Sequence, residues 1–231
     1  MFYGPAQARI HDERFGALAR AAADMVCDRL GASRGTVVDL GCGSGIYAAA
    51  MMAKGFNVVG VDLSPSMVEL ARAAAPAARI EAGSVHDFAI PKTLAVTALG
   101  EVLNYSTDGR AGLDALQALA KRVRAALEPN GVFMFDISTP GRGTYERFHD
   151  AGDWSLGMHS VEADGSLTRE IVIYTHIADG TFARIDETHE LRLYEPADVI
   201  AALEAAGFAV EMRDTYDNLP PLQGWNVFIA S

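Results

Sequence analysis

The run Val37-Val38-Asp39-Leu40-Gly41-Cys42-Gly43-Ser44-Gly45 constrains this chain more than any other segment. Its opening residues are β-branched and apolar and suit a buried strand, while residues 46–54 read as a helix. Between them three glycines alternate, which lets the backbone turn sharply and approach a ligand without Cβ clashes. A tight strand-to-helix turn that binds nothing would use the same residues. Asp62 separates the two readings: it lies 17 residues beyond Gly45, at the end of the next strand signal, Val58-Val59-Gly60-Val61. A carboxylate at that place can accept two hydrogen bonds from a vicinal diol, which selects nucleosides.

Strand and helix signals alternate around this run. Residues 6–30 read as helical, with a possible break at Gly16. Gly55 fits the position just past a helix end. Ser64 suits an N-cap, with Pro65 at the first helical position of a helix to about residue 75. Residues 79–81 and 94–99 supply a third and a fourth strand. Leu113, Leu116, Leu119 and Val123 keep helical spacing across residues 112–127. Glu128-Pro129-Asn130-Gly131 reads as a turn into a fifth strand at residues 132–137.

After Ile137 the pattern changes. Residues 154–161, 167–177 and 181–193 read as three longer strands, with hairpin turns at Asp164-Gly165 and Asp179-Gly180. Residues 196–206 return to helix, closed by Gly207, and residues 208–213 and 225–230 give two last strands. The expected architecture is α/β: a Rossmann-like, seven-stranded, mostly parallel sheet with helices on both faces, plus an antiparallel three-stranded insertion after strand five. One domain over residues 1–231 is expected. It divides into an N-terminal helical lid (1–35), a core (36–138), the insertion (139–194) and a C-terminal helix and strand pair (195–231).

Charge narrows the partners. With 30 acidic and 19 basic residues the net charge is −11, and the basic residues are scattered apart from Lys121, Arg122 and Arg124. Those three sit near the end of a predicted helix, where cations complement the dipole. Nucleic acid is therefore disfavoured as a partner. No apolar stretch is long enough to span a bilayer, and Met1-Phe2-Tyr3-Gly4-Pro5 does not read as a signal peptide. Two cysteines, Cys27 and Cys42, give no disulfide framework, so a reducing cytoplasm is the expected setting. The histidines show no metal-ligand spacing, and no metal is expected.

At the glycine run the sequence resembles the class I S-adenosylmethionine-dependent methyltransferases of the small-molecule type. Residues 37–45 look like that family's first motif, and Val61-Asp62-Leu63-Ser64 like its acidic second-strand motif. Gly83-Ser84-Val85-His86-Asp87 is similar to the segment flanking the adenine, and Glu128-Pro129-Asn130-Gly131-Val132 to the turn into strand five. The resemblance implies S-adenosyl-L-methionine as cofactor. Asp39 and the backbone of Gly41, Cys42, Gly43, Ser44 and Gly45 would hold its methionine end. Asp62 would bind the ribose, with Leu63 and Met67 in the adenine pocket and Val85 and His86 at its rim. Gly100 and Glu101 would face the methionine portion. One departure is Thr93, at a place where the family often carries Asp. Dinucleotide folds space their glycines as G-x-G-x-x-G, whereas here the third comes one residue early. The competing readings are a nicotinamide-dependent oxidoreductase and a non-catalytic nucleoside-binding regulator.

Methyl transfer from a sulfonium needs alignment and, for alcohols or phenols, a base. The acceptor is expected to be a small molecule methylated on N or O. Acceptor-binding candidates are Tyr3, His11 and Phe15 before the first strand, Asn104 and Tyr105 after strand four, and His189 in the insertion. The pattern does not fix a catalytic residue; His11 and His189 are the candidate bases. The insertion could equally be a solvated sheet, a roof over the acceptor or a homodimer contact.

Overall fold

The computed structural model describes residues 5–177 and 179–231, with side chains described from Gly16 onward. The chain opens with α1 (Pro5–Leu30) and continues through β1 (Thr36–Leu40), α2 (Ile46–Ala53), β2 (Asn57–Asp62), α3 (Pro65–Ala74), β3 (Arg79–Ala82) and β4 (Thr93–Ala98). A short 3₁₀ turn (Val102–Asn104) leads to α4 (Leu113–Ala126) and β5 (Leu127–Ser138). Four strands follow: β6 (Tyr145–Asp150), β7 (Trp154–Ala163), β8 (Ser166–His176) and β9 (Phe182–Arg192). The chain ends with α5 (Pro196–Glu204), β10 (Val210–Arg213) and β11 (Trp225–Ala230).

The main sheet has the order β10-β11-β5-β4-β1-β2-β3, parallel from β5 to β3 and antiparallel at β11 and β10. Alternation along its strands divides the core in two. Val38, Val96, Phe133, Phe135 and Phe228 pack on Leu116, Leu119 and Val123 of α4 and Leu203 of α5. Val37, Ala95, Val132, Met134 and Val227 face Ala22, Val26 and Leu30 of α1 and Met51 of α2. Burying side chains of this size contributes roughly 1.5–3 kcal/mol each. β1 is followed by β2 on one side, while β4 lies on its other side. The order therefore reverses at β1, and a crevice opens beyond the carboxyl ends of β1 and β4.

Local expectations hold at several points. Gly55 has φ +87 past α2, and Ser64 Oγ accepts from the Met67 amide at 3.3 Å ahead of Pro65. Three differ. α1 runs through Gly16 without a break, and the Arg20 guanidinium folds back over the space a Cβ would fill. The turn at Asn130 is a bulge within β5: Thr93 pairs with Leu127 and Ala95 with Val132, so β5 carries the extra residues. The insertion has four strands, not three. β6 escaped notice because it is an edge strand paired on one side only. Five of its six residues are exposed, so nothing imposes an apolar alternation. Among the described residues no helix is long and apolar enough to cross a membrane.

Candidate functional site

β1 ends where the Gly41 and Cys42 amides both donate to Val61 O, at 2.8 and 3.0 Å, tying the glycine loop to β2. Gly41, Gly43 and Gly45 have φ of +70, +52 and +86, a region that side chains with a Cβ enter at a cost. A Cβ on Gly41 would stand 2.5 Å from Val102 of the turn after β4. One on Gly45 would stand 2.8 Å from the Ala71 Cα, so Gly45 serves the packing of α2 against α3. Asp62 closes the loop from below: Oδ2 accepts from the Gly43 amide at 2.9 Å and Oδ1 from the Ser64 amide at 2.8 Å. The Leu63 amide also favours the ionised carboxylate, which with about four acceptor sites keeps some capacity free. Burial raises the Asp62 pKa, and these amides oppose that rise.

A cleft with about 710 Å³ of empty space, part of it open to solvent, lies against this loop. Its walls are Gly41, Gly43, Asp62, Leu63, Met67, Ser84, Val85, His86, Leu99, Gly100, Val102, Tyr105, Thr107 and Asp108. A smaller space of about 390 Å³ shares Gly41, Gly43 and Leu99 with it and reaches Asp39, Cys42, Ser44 and Tyr47. Asp39 is buried, with Thr97 Oγ1 donating to it at 2.8 Å. Burial pushes its pKa up to about 7, the Thr97 bond opposes this, and the nearby Asp62 charge adds to it. Among the described residues no cation offsets that rise. Ser44 Oγ is buried with no hydrogen-bond partner among the described residues.

The far rim is a polar network. Ser84 Oγ donates to Asp108 and accepts from the His86 amide at 3.0 Å. Arg110 reaches Asp108 at 2.8 Å and Asp87 at 2.5 Å. The Asp108 carboxyl is held well below its usual range, chiefly by the Arg110 hydrogen bond. Burial lowers the His86 pKa. Arg122 donates to His86 O at 2.5 Å and to Phe88 O, so this cation ties the rim segment to α4. Its neighbourhood to the helix end, which drew attention in the sequence, is secondary. Thr93 opens β4 by donating to Thr36 O at 2.8 Å, a strand-to-strand tie away from the cleft.

Past β4 the chain takes two consecutive left-handed residues, Gly100 (φ +83) and Glu101 (φ +65). This aims both their amides at the buried Asp136 carboxylate, with Gly100 N at 2.8 Å from Oδ2 and Glu101 N at 2.6 Å from Oδ1. Tyr216 OH also donates to Asp136, at 2.8 Å. The Glu101 side chain leaves the cleft and lines neither space. It receives Arg169 Nη1 at 2.7 Å and Nη2 at 3.0 Å, and Ser138 Oγ donates to it as well. Burial would raise its pKa, but Arg169, with Arg142 and Ser138, outweighs that and holds it at about 2.

The structure brings Asp39, Gly41, Cys42, Gly43, Ser44, Asp62, Leu63, Met67, Val85, His86, Gly100 and Tyr105 to one pair of connected spaces. Gly45, Glu101 and Asn104 support the walls instead. Asn104 Nδ2 donates to Ser138 O at 2.8 Å and Arg192 O at 2.6 Å, and its Oδ1 accepts from Ser138 N at 2.9 Å. That buried side chain braces β5 against β9 with both of its amide hydrogens committed. His189 is buried 3.1 Å from Glu187 and meets the Tyr105 ring edge-on at 5.6 Å. Tyr3 and the side chains of His11 and Phe15 lie outside the described residues. Sequence reasoning missed Leu99, Val102, Thr107 and Asp108. Only the position of Val102 after strand four offered any signal.

Residues 37–131 match the family model described as a methyltransferase domain. The chain is 27% identical over 226 residues to the putative methyltransferase GWCH70_2453 of Geobacillus sp. (strain WCH70), spanning 88% of this chain and 85% of that protein. It is 26% identical over 205 residues to the dTDP-3-amino-3,6-dideoxy-alpha-D-glucopyranose N,N-dimethyltransferase of Streptomyces fradiae, spanning 82% and 78%. Its fold is similar to that of CalS10, an amino pentose methyltransferase from Micromonospora echinaspora solved with S-adenosylmethionine bound. The TM-score is 0.78 at 20% identity, over all of this chain and 97% of that one. Neither a nicotinamide enzyme nor a non-catalytic regulator is supported. Residues 37–131 thus carry a methyltransferase domain, in a fold similar to that of solved S-adenosylmethionine-dependent methyltransferases.

Proposed function

We propose that Asp62 takes the cofactor's ribose, that Leu63, Met67, Val85 and His86 enclose its adenine, and that Asp39 and the loop from Gly41 to Ser44 hold its amino-acid end. The carrying observation is the Asp62 carboxylate, oriented by backbone amides on both oxygens and with acceptor capacity left for hydroxyls. The rest of the cleft fits the same group. Asp39 is a buried carboxylate in want of a cation, Ser44 Oγ is an orphaned polar atom, and a Cβ on Gly41 would collide with Val102 of the cleft wall.

When bound, the cofactor supplies an electrophilic methyl group on a sulfonium. The chain's part is alignment. The turn at Gly100 is pinned by Asp136, so the backbone beside the methionine end is preorganised. Tyr105 stands where the cleft meets the insertion, and the acceptor enters between them. A neutral amine needs only to be positioned in line, and the kinship with an amino-sugar N,N-dimethyltransferase favours an amine on a sugar-sized acceptor. The test is turnover with amino sugars and sugar nucleotides against their hydroxyl analogues, read by mass spectrometry. Methylated amines support the reading; methylation confined to the hydroxyl analogues defeats it.

A further inference from the structure

Behind Tyr105 the insertion sets one polar side chain per strand in a single cross-strand row. Tyr145 on β6 pairs with Ser160 on β7, Ser160 with Arg169 on β8, and Arg169 with His189 on β9. Ser160, Arg169 and His189 are buried and Tyr145 is half-buried. Apolar residues would seat a sheet face more cheaply, so a polar row needs another reason.

Arg142 joins the row from the loop after β5, and that loop is built to hold it. Glu162 accepts from the Gly141 and Gly143 amides at 2.9 and 2.6 Å. A Cβ on Gly224 would come within 2.5 Å of the Arg142 amide nitrogen, so Gly224 admits this close approach. Arg142 Nη2 donates to Tyr145 OH at 3.2 Å, and Nη1 lies 3.4 Å from Glu101 Oε1. Two guanidinium groups therefore flank one ionised carboxylate, Glu101. Two further carboxylates stand nearby: Glu162 is half-exposed and accepts from the glycine amides, and Glu187 is buried 3.1 Å from His189.

The Arg142 side chain is 7% and the Arg169 side chain 10% exposed. Arg142 Nη1 and Arg169 Nε are nonetheless buried with no hydrogen-bond partner among the described residues. Glu101 grips the other edge of Arg169 bidentately, which fixes the direction of the free Nε–H. Buried guanidinium donors left without a partner are complementary to an anion. We propose that the row from Tyr145 to His189, with Arg142, recognises an anionic group, carboxylate or phosphate, carried by the methyl acceptor. The assignment rests on the reading above that the acceptor enters the cleft beside the insertion.

The test titrates the full chain, loaded with S-adenosylhomocysteine, with inorganic pyrophosphate and separately with succinate, read by calorimetry. Binding of one anion and not the other identifies the group. Arg142→Gln is expected to weaken that binding by about tenfold or more while S-adenosylhomocysteine affinity stays unchanged, and Arg169→Lys is expected to weaken it too. Arg184→Gln, an exposed arginine on β9, should leave it as in the parent chain. Absence of binding by either anion, or Arg142→Gln binding like the parent, overturns the proposal. Since no methyl transfer is read, failure of the amine-acceptor reading leaves this result standing, and the converse also holds.

Discussion

The Gly43 amide donates to the Asp62 carboxylate at 2.9 Å, so the loop after β1 and the end of β2 share one anchor. The residue proposed to hold the ribose is therefore also a structural tie of the loop that would hold the methionine end. Asp62→Ala removes both functions. We expect S-adenosylhomocysteine affinity to fall by about 100-fold or more, as two hydrogen bonds to a charged group at about 1.5 kcal/mol each imply. Thermal unfolding should show a loss of about 1–3 kcal/mol, because the Gly43 and Ser64 amides lose their acceptor. Unchanged affinity in a folded Asp62→Ala protein would place the ribose elsewhere.

Gly41→Ala tests the close approach at the cleft floor. The new Cβ would stand 2.5 Å from Val102 in a backbone of φ +70, so the loop or the turn after β4 must shift. A stability loss of about 1–2 kcal/mol and weaker cofactor binding are expected. Adding Val102→Ala should restore part of the binding, because it removes the clash but not the backbone strain. Equal affinities for the single and double variants would show that Val102 is not the obstacle.

How much of this was readable follows the distance between partners in the chain. Val37 to Gly45, Gly55 and the Ser64-Pro65 start announce themselves because strand, turn and cap chemistry act within a few residues. The partners of Glu101 were invisible: Arg169 lies 68 positions away and Asp136 is 35 positions from the Glu101 amide. Position after strand four suggested that Glu101 faces the cofactor. Its left-handed backbone instead sends the carboxylate under the insertion. Asn104 and Arg122 likewise look like available polar groups until the carbonyls they serve, on Ser138, Arg192, His86 and Phe88, are known. Asp108 is tied to the cleft rim by its tertiary bond from Ser84.

Cofactor affinity should depend on pH through Asp39. Burial lifts its pKa to about 7, so near and below neutrality the free protein carries it protonated. A ligand ammonium favours the ionised form, and below about pH 7 binding must first expel a proton. Affinity for S-adenosylmethionine should therefore rise as pH increases through about 7 and level off above it. Thr97→Val removes the hydrogen bond that lowers the Asp39 pKa and should move the rise to higher pH. Calorimetry at several pH values in two buffers of different ionisation enthalpy reads the proton release. A pH-independent affinity across this range would dissociate Asp39 from the amino-acid end.

The Glu101–Arg169 pair makes a prediction about stability. Its carboxyl is held at about 2 in the folded chain against an ordinary 4.5. A depressed folded-state pKa contributes stability that is fully present above about 4.5 and is lost as pH falls toward about 2. The contribution is on the order of 3 kcal/mol. Glu101→Gln removes it at neutral pH and also leaves Arg169 and Arg142 buried without their counter-charge, so a loss of about 3–5 kcal/mol is expected. Glu101→Gln with Arg169→Met should recover part of that loss, since one of the two uncompensated cations is then gone. Denaturant unfolding of the single and double variants reads both effects. If the double variant is no more stable than Glu101→Gln alone, the pair is not what joins the turn after β4 to the insertion.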